Sequence, residues 1–113
     1  MFIDKDSCIN CLVIDGGDMR SVISAIDKGG LKIALIINSS GNLVGTISDG
    51  DIRRGLLRGF SLDSSLSKIM NKNCITANPK TNKNKISIMM KEKGILQIPI
   101  ISTIDSSIWN SDN

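Results

Sequence analysis

Apolar positions along this chain follow two spacings, one of three to four residues and one nearly continuous. Met19, Val22, Ile23 and Ile26 fall at i, i+3, i+4 and i+7, which predicts a helix over residues 18–28 with Asp18 as the acceptor at its start. Gly29 and Gly30 end it, as glycine just beyond a helix commonly does. Residues 31–37 are nearly all apolar and β-branched, the pattern of a strand covered on both faces. Asn38-Ser39-Ser40-Gly41-Asn42 is turn chemistry and residues 43–47 resume as a strand, so 31–47 reads as a hairpin. Ser48, with Asp51 three residues on, reads as a helix cap, and Ile52, Leu56 and Leu57 are expected to give that helix its buried side. With residues 12–14 as the first strand, the unit is strand, helix, strand, strand, helix, and its first crossover should be right-handed.

A connector follows Gly59-Phe60-Ser61, and Leu66, Ile69 and Met70 predict a short helix in it. Residues 74–77 then read as a strand, Asn78-Pro79 as a turn, 82–93 as a helix with Ile86, Met89 and Met90 inward, and 96–101 as a strand. The lysines and asparagines of 80–85 fit a solvated helix start. Ile108-Trp109 is expected as a last edge strand and 105–113 as a weakly held tail. Residues 27–36 lie over 92–101 at an offset of 65, with five of ten pairs identical. One supersecondary unit used twice, each copy burying the face the other cannot cover, places function at the seam between them.

The 113 residues make one compact domain, with 41% hydrophobic residues arguing against disorder. No apolar stretch approaches the roughly 18 residues that span a bilayer. Met1-Phe2-Ile3-Asp4 lacks the basic start and apolar run of a signal peptide. A net charge of +3 favours an anionic ligand slightly and does not by itself imply nucleic acid. Three cysteines, Cys8, Cys11 and Cys74, fit reduced thiols in a cytoplasmic protein. The CxxC spacing of Cys8 and Cys11 does not make a zinc site, because the chain has no His and one further Cys. The pair reads as two small residues flanking a strand, and no metal is expected.

The chemistry concentrates in Gly45-Thr46-Ile47-Ser48-Asp49-Gly50-Asp51, where a strand ends and a helix begins. Backbone N–H groups converge there with the positive end of the helix dipole. Gly45 and Gly50 let another group approach the backbone. Ser48 can hold a phosphate oxygen or the helix's own amides, and Asp51 can accept two hydrogen bonds from the vicinal hydroxyls of a ribose. Arg54 and Arg58, three and seven residues beyond Asp51, share roughly one helical face toward a phosphate tail, with Arg53 beside them. From this heptapeptide alone, a plain capping box with solvated arginines is an equally good account.

The pattern Gly-x-hydrophobic-Ser/Thr-x-x-Asp after a hairpin, inside a twice-used unit, resembles the CBS-domain pair, or Bateman module, over residues about 10–101. Gly45, Ser48 and Asp51 fall on that family's ribose-phosphate motif, residues 94–99 on its strand before the second hairpin, Ser67-Lys68-Ile69-Met70 on the segment opening the second repeat, and residues 75–79 on its first strand. The resemblance implies an α/β fold of tandem repeats related by a pseudo-twofold, at 10–59 and 66–109, with 110–113 as a tail. The second repeat is incomplete, since no counterpart of Ser48 and Asp51 precedes Asn113. It also implies an adenine-nucleotide ligand (AMP, ADP, ATP or a related adenosyl compound) between the repeats. Ribose would sit on Asp51, phosphate near Ser48 and Thr46, and adenine around Asn73, Cys74 and Ile95, with Gly50 and Arg54 also expected among the ligand-binding residues. Residues 47–57, with Ile69-Met70-Asn71, are similar to CBS pairs fused ahead of sugar-1-phosphate nucleotidyltransferases.

The expected role is therefore regulatory ligand binding, with no required cofactor and with a homodimer and a catalytic neighbour as partners. The alternative is a dimerising scaffold with a vestigial pocket. Nucleic-acid binding through Arg53, Arg54, Arg58 and the lysines of 80–93 lacks stacking platforms at 3% aromatic content. Catalysis by this chain alone is not expected: there is no His or Tyr, and Ser48 has no base to deprotonate it.

Overall fold

A computed structural model describes residues 2–105 and 107–109. Its elements in chain order are β1 (Phe2–Ile3), β2 (Leu12–Ile14), α1 (Met19–Gly29), β3 (Ile33–Ile37), β4 (Leu43–Ser48), α2 (Asp49–Leu57), a 3-10 turn (Leu66–Lys68), α3 (Lys83–Lys93) and β5 (Ile98–Pro99).

The first half forms a three-stranded sheet in the order β2-β3-β4, β3 being parallel to β2 and antiparallel to β4. β3 is central and buried on both faces, which is why its sequence is an unbroken apolar run. Ala34 and Ile36 face α1 in a core with Met19, Val22, Ile47 and Leu66. Ile33 and Leu35 face the other way, onto Ile3, Cys8, Cys11 and Ile108, so this second core joins material from both halves. A third core, with Ala77, Met90 and Ile98, belongs to the second half.

Both long helices are fixed by side-chain caps. Asp18 accepts from the Ser21 amide at 3.1 Å at the start of α1, and Asn82 accepts from the Asn84 and Lys85 amides at the start of α3. Gly30 (φ 69°) and Gly94 (φ 68°) end them in the left-handed region, each donating its N–H to a carbonyl of the last turn, Ile26 and Met90 respectively.

That pairing corrects the repeat offset. The two 11-residue helices begin at Met19 and Lys83 and end at Gly29 and Lys93, a displacement of 64 rather than 65. Strand pairing agrees, because Val13 opposite Ile36 corresponds to Ala77 opposite Ile100. The 65-residue match has more identities, yet a one-residue slip would turn each strand over. Ile98 faces α3 in the place where Ala34 faces α1.

The second sheet is sparser. Residues 98–101 run between Ala77 on one side and β1 on the other, both parallel, and Ile108 pairs antiparallel with Ile101. Residues 107–109 are thus held, not loose: Ile108 is buried and the Trp109 N–H donates to the Ile100 carbonyl at 2.8 Å. The remainder of the expected tail, residue 106 and 110–113, lies outside the described residues.

A further correction concerns α2. Ile52 and Gly55 are its buried positions, whereas Leu56 is 48% exposed and Leu57 88%. Gly55 lets Met19 and Phe60 close onto the helix, and Leu57, five residues past Ile52, is turned toward solvent.

Candidate functional site

A cleft of about 580 Å³ opens at the seam. One wall is the β4–α2 junction and the end of the loop into β3. The opposite wall is the connector around Asn71–Ile75 and the residues between α3 and β5. The cleft is lined by Thr46, Ser48, Gly50, Asp51, Arg54, Asn73, Cys74 and Ile95, all eight residues named from the sequence. Arg53 lines it as well. Arg58 does not; it caps the far end of α2. Gly45 is also outside the lining. A Cβ there would run into the Met70 side chain and approach the Asn71 carbonyl oxygen to 3.0 Å, so the group that closes on this glycine is the connector.

The connector is pinned by reciprocal bonds. Thr46 N–H donates to the Asn71 carbonyl at 3.1 Å and Asn71 N–H to the Thr46 carbonyl at 2.9 Å. Thr46 is 5% exposed, and burial pushes the nearby Cys74 thiol up from its ordinary value, with the Thr46 side chain opposing that shift. Across the seam, Gln97 Nε2 donates to the Leu31 carbonyl at 2.6 Å and ties the two halves together beside the cleft.

Ser48 and Asp51 form a reciprocal capping box. Ser48 Oγ accepts from the Asp51 amide at 3.1 Å, and Asp51 Oδ2 accepts from the Ser48 amide at 2.9 Å. The box and the cleft coexist: the Ser48 hydroxyl keeps its own proton to donate, and Asp51 Oδ1 points to Arg54, whose Nη2 donates to it at 2.7 Å. Arg53 is paired in the same way with Asp49. The charged lining is completed by Lys32, whose ammonium makes no ion pair among the described residues.

Lys32 escaped the reading of the sequence. It is the one non-glycine residue with positive φ among the described residues, at 60°, and its carbonyl accepts the Asp49 amide at 2.9 Å, so the loop into β3 is fastened to the first turn of α2. Its place after two glycines marks a turn, and nothing in the sequence tells that the turn is folded against α2. Asn71 and Gln97 likewise reach the cleft through tertiary packing, while Asp49 lines it within the heptapeptide singled out from the sequence.

The CxxC pair stands apart from the cleft. Cys8 and Cys11 are fully buried, the Cys8 thiol donates to the Lys5 carbonyl at 3.6 Å, and the neighbouring Cys11 thiol, followed by burial, pushes Cys8 far above its ordinary value. No group of residues that could hold a metal ion occurs among the described residues, nor any helix long and apolar enough to cross a membrane.

No protein-family model matches the chain. An uncharacterized protein of Helicobacter pylori is 30% identical over 86 residues, covering 76% of this chain and 25% of that protein. The uncharacterized protein MJ1404 of Methanocaldococcus jannaschii is 29% identical over 93 residues, covering 81% and 22%. The chain thus spans about a quarter of the length of these curated relatives. Among solved structures, it is similar to the CBS domain protein PAE2072 from Pyrobaculum aerophilum, complexed with AMP, at TM-score 0.76 and 17% identity over 85% of this chain and 74% of that one. It is also similar to the CBS domain pair of protein MJ0100, in complex with 5'-methylthioadenosine and S-adenosyl-L-methionine, at TM-score 0.73 and 21% identity over 89% and 81%. The fold is that of a CBS-domain pair.

Proposed function

We propose, from this CBS-pair fold, that the seam cleft binds an adenosine-derived ligand and that its occupancy regulates a protein containing or adjoining the module. The ribose sits on Asp51, the phosphate beside Ser48, Thr46 and Arg54, and the base against Asn73, Cys74 and Ile95. The observation that carries this reading is the meeting, in one cleft between halves, of a helix-start carboxylate with three cationic side chains. The AMP and adenosyl ligands of the structural neighbours support the same ligand class. Ligand bound between the halves can transmit only its difference in affinity between their arrangements.

Calorimetry with AMP, ADP and ATP on the wild type and Asp51→Ala tests it. Losing the ribose hydrogen bonds should cost about 1.5–3 kcal/mol, on the order of 10–100-fold in affinity. Circular dichroism of the variant checks that the lost cap has not unfolded α2. Equal affinities in the two proteins would take Asp51 out of the site.

The parent protein proposed here is a sugar-1-phosphate nucleotidyltransferase. The similarity of residues 47–57 to modules fused to such enzymes supports it. A scaffolding role is favoured by a different observation, the exposure of Leu56, Leu57 and Ile88 on α2 and α3. A stable dimer that ignores every nucleotide would decide for the scaffold.

A further inference from the structure

We infer that Arg54 is an exchangeable counter-ion that makes the cleft select phosphate-bearing ligands over uncharged nucleosides; this rests on the adenosine reading above. Both oxygens of Asp51 are engaged without ligand. Oδ2 holds the Ser48 amide and Oδ1 holds Arg54 Nη2 at 2.7 Å. Each oxygen keeps a second lone pair, but a cis-diol gripping this carboxylate competes with the guanidinium at Oδ1, and on this proposal the guanidinium gives way.

The geometry shows how that departure is arranged. Arg54 leans back toward the start of its own helix, as helical side chains do. Its guanidinium lies over Gly50, where an added Cβ would sit 3.2 Å from Nη1. A cation there faces the positive end of the α2 dipole, and Asp51 is the partner that holds it. The arginine side chain is 61% exposed, free to swing, whereas the carboxylate side chain is 23% exposed and fixed by the capping box.

A ligand with a phosphate gives the displaced guanidinium a new anion, one charge-assisted bond replacing another. A neutral nucleoside takes Oδ1 and leaves the cation unpaired at a helix start. A sulfonium nucleoside adds like-charge repulsion to that loss. The same arginine thus assists one ligand class and opposes the others.

Calorimetry with AMP and with adenosine, on the wild type, Arg54→Ala and Arg54→Lys, tests this. Arg54→Ala should weaken AMP about tenfold or more and strengthen adenosine about two- to fivefold, opposite in sign. Arg54→Lys should recover part of the AMP affinity. In the wild type, added salt should weaken AMP and strengthen adenosine, because it screens the internal pair. If AMP binds the wild type but adenosine affinity stays level or falls in Arg54→Ala, the exchange is wrong and the cleft reading stands. If neither compound binds the wild type, both are wrong.

Discussion

Gly45 shows how a single residue can carry two readings. In the sequence it belongs to a glycine–hydroxyl–acid pattern that invites a ligand; in the fold it is the gap through which Met70 and Asn71 close on β4. Gly45→Ala should therefore destabilise the protein by about 1–3 kcal/mol, because the nearest obstacles include a backbone oxygen that cannot step aside. Urea denaturation checks it, and a variant within error of the wild type would mean that the connector is loosely held. Ser48 and Asp51 were legible because a capping box has a fixed spacing. Lys32 was not, since a left-handed lysine is settled by the turn it closes and not by its neighbours in the chain.

Among the elements, α1 could be read almost to the residue, as Asp18, an apolar stripe and a glycine pair mark its start, face and end. The burial of α2 was misjudged because two adjacent leucines outweighed a glycine in the reading, while packing follows the helix turn. The consequence is a contrast. Ile52→Ala should cost about 2–5 kcal/mol, whereas Leu57→Ser should stay within about 0.5 kcal/mol, both measured as unfolding free energies. A large loss for Leu57→Ser would show that a second copy covers this position. The strand of residues 74–77 shrinks to one bridge at Ala77, since its neighbours carry the connector past the cleft instead of pairing.

For the molecule as a whole, the duplication was visible but its register was not. Identities favour 65, while helix caps and strand pairing follow 64, because side-chain facing is a property of the fold that counting matches does not weigh. The core shared between halves makes its own prediction. Cys8 and Cys11 sit in it fully buried, and Cys74 is half-buried at the cleft. Iodoacetamide followed by mass spectrometry should label Cys74 first, and a proposed ligand should protect it. Cys8 and Cys11 should react only as the halves open, since both side chains are shut away from solvent and the Cys8 thiol is in addition pushed up. Early labelling of that pair would mean that the two halves separate readily.

The two residues of β1 have a role out of proportion to their length. The Ile3 carbonyl accepts the Ile100 amide at 2.8 Å, so this strand occupies the flank of residues 98–101 opposite Ala77. Without Phe2 and Ile3, Ile98 and Pro99 would lose their strand partner on that flank and the Ile100 amide its acceptor. These two residues therefore fill a stretch of sheet edge with which another strand could otherwise pair.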